Sequence, residues 1–301
     1  MNVLKIATLS VATLLVSNLS HASLTSKVCK MPISAENELL AYIEKNGFDL
    51  ENTLEICKKL NKNGAAIFVG SYSIADIKKS VSGTAIALVD DSLIQNQVML
   101  TSGEFTLDTR TSNLTSQEEQ TKMVYDSLHQ YLRNFNDADL DSLKNNRKKF
   151  NAFKKKPLNV KSSNSADCQI QYTIKDDLSR SLFAKYGFST KYYFNQQNND
   201  KLCEVMTAYN AHLYIQNDSL STDQNIFGSS LVANGIREYQ EQGIPVFDPL
   251  VFVSVMGSID NVVGYEVKNE ILYRHVNEAF SRIPQDIQIN SILDTRKKLG
   301  L

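Results

Sequence analysis

Among the residue types that carry chemistry, histidine is scarce: outside the first 22 residues there are only His129, His212 and His275, spread over separate segments. A nucleophile–base–carboxylate triad needs these groups brought together by the fold, and no Gly-x-Ser-x-Gly elbow announces one. Asp108 and Asp248 each follow a glycine, Gly103 and Gly243, at the same distance. Carboxylates at the C-terminal ends of strands face the crevice where α/β sheets bind ligands, so both are candidate ligand-binding residues. Tyr125 and Tyr273 recur in matching helical contexts, and Ser229, in Gly228-Ser229-Ser230, is expected to open a helix whose free N–H groups would hold an anion. The strongest polarisation is basic: Lys144, Arg147, Lys148, Lys149, Lys154, Lys155 and Lys156 alternate with Phe150 and Phe153. Arg147, Lys148, Lys149, Lys154, Lys155 and Lys156 form a candidate patch for an anionic surface such as lipid head groups.

Several chemistries are disfavoured. Neither Gly-x-Gly-x-x-Gly nor Gly-x-x-x-x-Gly-Lys occurs, which removes the dinucleotide and phosphate-loop signatures. The cysteines, Cys29, Cys57, Cys168 and Cys203, are far apart, with no Cys-x-x-Cys pair, so no metal site is expected and no cofactor is implied. Lysine plus arginine at 32 against aspartate plus glutamate at 33 gives a formal charge of −1, so no global field favours nucleic acid.

The elements that position these residues begin after residue 22. Met1–Ala22 carries Lys5, then an apolar stretch from Ile6 to Leu19, then Ser20-His21-Ala22. This is the layout of a secretory signal peptide with cleavage after Ala22, and its apolar core is shorter than the roughly 20 residues of a membrane span. The expected compartment is the periplasm or the exterior, without a transmembrane anchor. Four cysteines in an exported chain read as two disulfides.

Comparison of the two halves suggests an internal repeat. The run Cys57 to Ile74 overlays Cys203 to Leu220 without a gap, each cysteine leading into a strand-like apolar segment. Leu39–Phe48 matches Ser181–Phe188 as a helix closed by glycine, Gly103–Asp108 matches Gly243–Asp248, and Thr121–Leu128 matches Asn269–Val276. The expected class is therefore α/β or α+β, built by duplication of a small disulfide-stapled unit into two similar lobes. The expected plan is a signal peptide over 1–22, a first lobe over 23–143, a basic and polar linker over 144–167 and a second lobe over 168–301.

In the first lobe strands are expected at Ala65–Ser71 and Glu104–Thr109, and helices at Glu36–Lys45, Thr84–Leu100 and Gln117–Phe135. In the second, strands are expected at Gln169–Ile174, Ser189–Phe194, Ala211–Gln216 and Ile244–Met256, and helices at Asp177–Lys185, Ile226–Gln242 and Tyr265–Arg282. The strand–helix–glycine–strand unit around Leu100–Asp108 is similar to small α/β modules of bacterial envelope-assembly proteins, without a family-defining motif.

These features lean away from an enzyme. They point to an exported binding or interaction protein of the cell envelope, with an envelope protein or a small ligand held in the groove between lobes. The alternatives are a hydrolase using Asp108 or Asp248 with a histidine, and a protein that neutralises a toxin in the envelope. Peptide mapping without reduction is expected to find Cys29–Cys57 and Cys168–Cys203; a Cys57–Cys168 bridge would overturn the paired-unit plan.

Overall fold

The computed structural model describes residues 20–25, 29–75, 78–153, 172–175, 196–221, 226–257 and 283–300, together with 180, 270–271 and 273–275. The first half contains β1 (Ser20–Thr25), β2 (Lys30–Ala35), α1 (Asn37–Asn46), α2 (Thr53–Lys62), β3 (Ala65–Ala75), β4 (Ser80–Asp90), α3 (Asp91–Gln95), β5 (Met99–Leu100), β6 (Thr106–Ser112), α4 (Gln117–Arg133) and α5 (Asp137–Phe153). The second contains β7 (Tyr172–Ile174), α6 (Gln196–Ala208), β8 (Ala211–Ser221), β9 (Ile226–Ile236), α7 (Arg237–Glu241), β10 (Val246–Met256) and α8 (Gln285–Leu299). No helix among the described residues is long and apolar enough to cross a membrane.

Among the described residues, ten strands form two five-stranded mixed sheets, in the orders β1-β2-β3-β4-β6 and β5-β10-β9-β8-β7. Each contains one parallel pair, β2 with β3 and β7 with β8, beside a long antiparallel hairpin, β3 with β4 and β8 with β9. The sheets pack face to face. Side chains alternate across a strand, and the burial follows that rule. Ala66 and Phe68 of β3, Ala85, Ala87 and Val89 of β4, Leu231 and Ala233 of β9, and Val251 and Val253 of β10 fill the seam between the sheets. Their neighbours in sequence point outward, under helices. Ile67, Val69, Ile86 and Leu88 share a core with residues of α1, α2, α4 and α5; Leu213, Ile215, Val232 and Phe252 share one with residues of α6 and α8. The result is four layers, helix, sheet, sheet, helix, in a mixed α/β chain.

Phe105 ties the seam together: its ring lies 6.4 Å from Phe68 of the first sheet, 5.5 Å from Phe247 and 6.0 Å from Tyr214 of the second. Such edge and tilted contacts add about 0.5–1.5 kcal/mol each beyond the area they bury. The halves also exchange structure. β5, from the first half, hydrogen-bonds to β10 as an edge of the second sheet, and Ile236, Tyr239, Ile244 and Val246 enter the helix-covered core of the first.

Three expected elements differ. Thr84–Leu100 is the strand β4, the short helix α3 and the strand β5, and Ile226–Gln242 is β9 followed by α7. Every residue of β4 is buried, so both faces of the strand are apolar or small, and the alternation that distinguishes a strand from a helix is missing. The expected linker starts as a helix: α5 runs to Phe153, with Leu140, Leu143, Asn146 and Phe150 buried. Phe150 and Phe153 pack on Tyr239 of α7 at 5.3 and 5.1 Å, and Lys144, Lys148 and Lys149 earlier in α5 conceal this helical stripe in the sequence. The helices at Glu36–Lys45 and Gln117–Phe135 and the strand at Ala65–Ser71 form with ends shifted by a few residues. Ser189–Phe194 and most of Asp177–Lys185 and Tyr265–Arg282 lie outside the described residues, as do Cys168, residues 1–19 and Lys154–Lys156.

The Cys29–Cys57 disulfide forms as expected, joining the start of β2 to α2 with an S–S distance of 2.00 Å. Cys203, in α6, is also disulfide-bonded. Asn61 buttresses the first bridge: its amide donates to the Lys30 and Cys57 carbonyls at 2.8 and 2.9 Å.

Because the seam is shared, Phe247→Ala is expected to cost about 3–5 kcal/mol and to shift one cooperative urea transition. Two transitions, of which one moves, would contradict a shared interior.

Candidate functional site

At the hairpin-tip end of the seam the filling changes from apolar to polar. Gly83 of β4 and Ser229 of β9 face each other so closely that a Cβ on the glycine would sit 2.7 Å from the serine Cβ and 2.8 Å from its Oγ. Only a residue without a side chain fits there. Gly83 has Tyr72 and Thr109 as its strand neighbours, and Ser229 has Asp218 and Val255. Across the seam, the Thr109 hydroxyl donates to Asp218 Oδ2 at 2.8 Å and makes a short hydrogen bond with the Ser229 hydroxyl. Thr109 Oγ1 donates to the carboxylate, so it accepts from Ser229, whose oxygen also lies 3.5 Å from the Asp108 carbonyl.

Ser229 is buried, while Thr109 and Asp218 are half-buried. Asp218 takes part in no ion pair among the described residues, and its carboxyl lies above the usual range. Burial is the main cause, the nearby Asp108 charge adds to it, and the Thr109 hydrogen bond opposes it. The arrangement is a hydroxyl–hydroxyl–carboxylate chain with oxygen on every corner. Among the described residues, no imidazole joins it.

Of the candidates named from sequence, Ser229 is in this site, but in a strand. The helix N-terminus on which an anion would sit is not there. Asp108 contributes its backbone carbonyl; its side chain turns to the outer face, where Arg110 Nε bonds both Asp108 Oδ2 at 2.7 Å and Ser127 Oγ at 2.9 Å. Asp248 does not occupy a place matching Asp108. Asp108 sits opposite Thr84 in the first sheet, whereas Asp248 is buried in β10 where the pairing register slips between Phe247 and Val251.

There Asp248 meets Arg296 of α8 in a fully buried ion pair, Nη1 to Oδ1 at 2.6 Å, while Arg296 also reaches the Gly235 and Tyr209 carbonyls at 3.4 Å. Among the described residues, Asp248 Oδ2 has no hydrogen-bond partner. Its carboxyl is pushed up to about 6 by burial, against the pull of Arg296. Arg147, a member of the expected anionic-surface patch, has a similar internal task. It pairs with Asp90 at 2.5 Å and donates to the Asn63 and Gly64 carbonyls at 2.5 Å. Lys148 and Lys149 are exposed on α5.

Tyr125 packs between Tyr42 and Phe48 at 5.2 and 5.7 Å and donates to the Gly47 carbonyl at 2.8 Å. Tyr273 packs against the core under α6 and α8. His275 and Ser254 are both buried, with Oγ and Nε2 3.1 Å apart. That is nucleophile-to-base spacing, under a cover of protein. His129 lies in α4, tilted against Tyr125 at 5.8 Å, and His212 is in β8. Among the described residues, no group of three or more histidine, cysteine or acidic side chains could hold a metal ion.

Thr109 and Asp218 escaped sequence reasoning. The gapless overlay of Cys57–Ile74 on Cys203–Leu220 sets Tyr72 against Asp218, and that exchange of an aromatic for a carboxylate inside a strand was the available signal. Thr109 required the pairing of β6 with β4, which no local pattern reveals. Comparison with protein-family models, characterised proteins and solved structures finds no match.

Several carboxyls share the upward displacement of Asp218. Glu36, before α1, is pushed up to about 7 by burial and by the charge of Glu38, and burial also raises Asp139 and Glu238. A folded-state value above the unfolded one means that the folded chain binds more protons between the two, so stability falls as pH rises through that window. The thermal midpoint is therefore expected to drop between pH 5 and pH 8, and Glu36→Gln to flatten the profile. A Glu36→Gln profile as steep as the parent's would contradict the assignment.

Proposed function

We propose that this is an exported, non-catalytic binding protein of the cell envelope, processed after Ala22 with loss of the first three residues of the edge strand β1, that holds a ligand or partner where its two sheets meet. The observation that carries this reading is the one-sided polarity of the seam. Elements recur at a constant offset of 146 positions (β3 and β8 begin at 65 and 211, β4 and β9 at 80 and 226, α3 and α7 at 91 and 237). Cys57 and Cys203 keep it, as do the left-handed residues Gly64 and Asn210 and, after the short helices, Gln97 and Gly243. This regularity supports a duplicated unit with a second bridge between Cys168 and Cys203.

At that same offset, Ser229, Asp218 and Val255 correspond to Gly83, Tyr72 and Thr109. Each copy thus contributes differently to one junction, and three polar side chains from both copies converge there. Shared positions are those that build the fold; this cluster is not among them. A buried hydroxyl and a half-buried carboxylate without an ionic partner among the described residues cost stability, and sites of binding are where such a cost is commonly tolerated.

One observation favours a hydrolase as the second reading, the Ser254–His275 pair. A fluorophosphonate that labels Ser254 in the native protein would support it. The binding reading is tested by native mass spectrometry on protein isolated from its own compartment. It predicts added mass that is lost in Asp218→Asn, with a few hundred daltons denoting a small ligand and tens of kilodaltons a protein such as a toxin. Added mass retained in Asp218→Asn, or none in the parent, would contradict it.

A further inference from the structure

We infer that the seam site receives a protonated primary amine. This rests on the reading of the seam as a binding site and specifies its ligand. Among the described residues, the polar atoms that converge there are all oxygens: the Asp218 carboxylate, the Thr109 and Ser229 hydroxyls and the Asp108 backbone carbonyl. Such a set attracts donors and positive charge. Its formal charge is that of one carboxylate, since the Asp108 side chain is engaged with Arg110 on the outer face of the sheet. No lysine, arginine or histidine among the described residues pairs with Asp218, so its charge is left for a ligand to neutralise.

The geometry discriminates among cations. A divalent ion asks for six or more oxygens and usually more than one carboxylate, and here there is one carboxylate beside neutral oxygens. A guanidinium binds best as a planar fork across both oxygens of a carboxylate, and the Thr109 side chain bonded to Oδ2 of Asp218 crowds one arm of that fork. An ammonium group carries one charge and three N–H donors on a compact head. It can bond the remaining carboxylate oxygen and the lone pairs of the surrounding oxygens. Thr109 and Asp218 are half-buried and so reach solvent, while Ser229 is buried behind them, against Gly83. The site therefore suits an amine at the end of a chain, in a small molecule or at a lysine tip or N-terminus of a partner.

The test titrates the full mature protein with n-butylammonium chloride and follows the amide signals of Asp218 and Ser229 by NMR. The controls, at equal ionic strength, are n-butanol, tetramethylammonium chloride and sodium chloride. Saturable shifts with butylammonium alone, weakened at least ten-fold in Asp218→Asn and in Ser229→Ala, are expected. Equal response to tetramethylammonium or sodium would mean a site for any monovalent cation and would overturn the proposal. So would equal affinity in both variants, with Ser229→Ala serving should Asp218→Asn fail to fold. A natural ligand seen by native mass spectrometry that butylammonium does not displace would overturn the amine assignment and leave the binding reading standing. No natural ligand and no butylammonium response would remove both.

Discussion

The face-to-face contact of the two sheets is the constraint from which the rest of the molecule follows. Strands buried between sheets on one side must also be covered on the other, because an exposed second apolar face would aggregate. Hence each sheet carries its own helical layer, and the central strands β4 and β10 are buried on both faces. Phe105, after β5 in the chain, reaches Phe68 of one sheet and Phe247 and Tyr214 of the other. The same segment that lends β5 to the second sheet thus supplies the aromatic centre of the seam. The halves fold around a common interior, whatever their origin.

The outer layers are fixed by a second device, an arginine on the last described helix of each half. Arg147 on α5 and Arg296 on α8 both reach the carbonyls where a helix turns into the first strand of a long hairpin, at Asn63–Gly64 and at Tyr209, and both meet an aspartate. Breaking a buried pair by removing one partner leaves an uncompensated charge, which is more damaging than never having built the pair. These contacts explain why the strongly charged stretch containing Arg147 is a structural helix rather than a free basic surface up to Phe153. They also explain why Asp248, a plausible ligand residue from its place after a glycine, is committed to the interior.

What could be read from the chain divides along the same physical line. Amphipathic helices with one buried stripe, such as α1 and α4, were evident, because a 3.6-residue period survives in the sequence. The Cys29–Cys57 bridge was expected from the comparison of the two halves, since the spacing of four cysteines alone leaves three pairings open. The strands β4 and β9 were mistaken for helices because burial on both faces removes the two-residue period. The match of Asp108 with Asp248 failed for a related reason: it aligned Gly103 with Gly243, whereas the left-handed residue before the strand in the first half is Gln97. Of the seam cluster, Ser229 was singled out for a helix end it does not occupy. Asp218 and Thr109 belong to strands that are distant in sequence, and their proximity is a product of sheet-on-sheet packing.

The central claim is that the polar corner of the seam is kept for binding and not for holding the sheets together. It is tested most directly by the unfolding free energy of the triple variant Thr109→Val, Asp218→Leu, Ser229→Ala in urea. Replacing all members of a buried polar group by apolar side chains of similar shape is close to neutral or stabilising when the group has no structural duty. The account predicts a variant at least as stable as the parent. A loss of about 3 kcal/mol or more, the scale of a broken buried network, would show that the cluster is a strut of the fold and would contradict it.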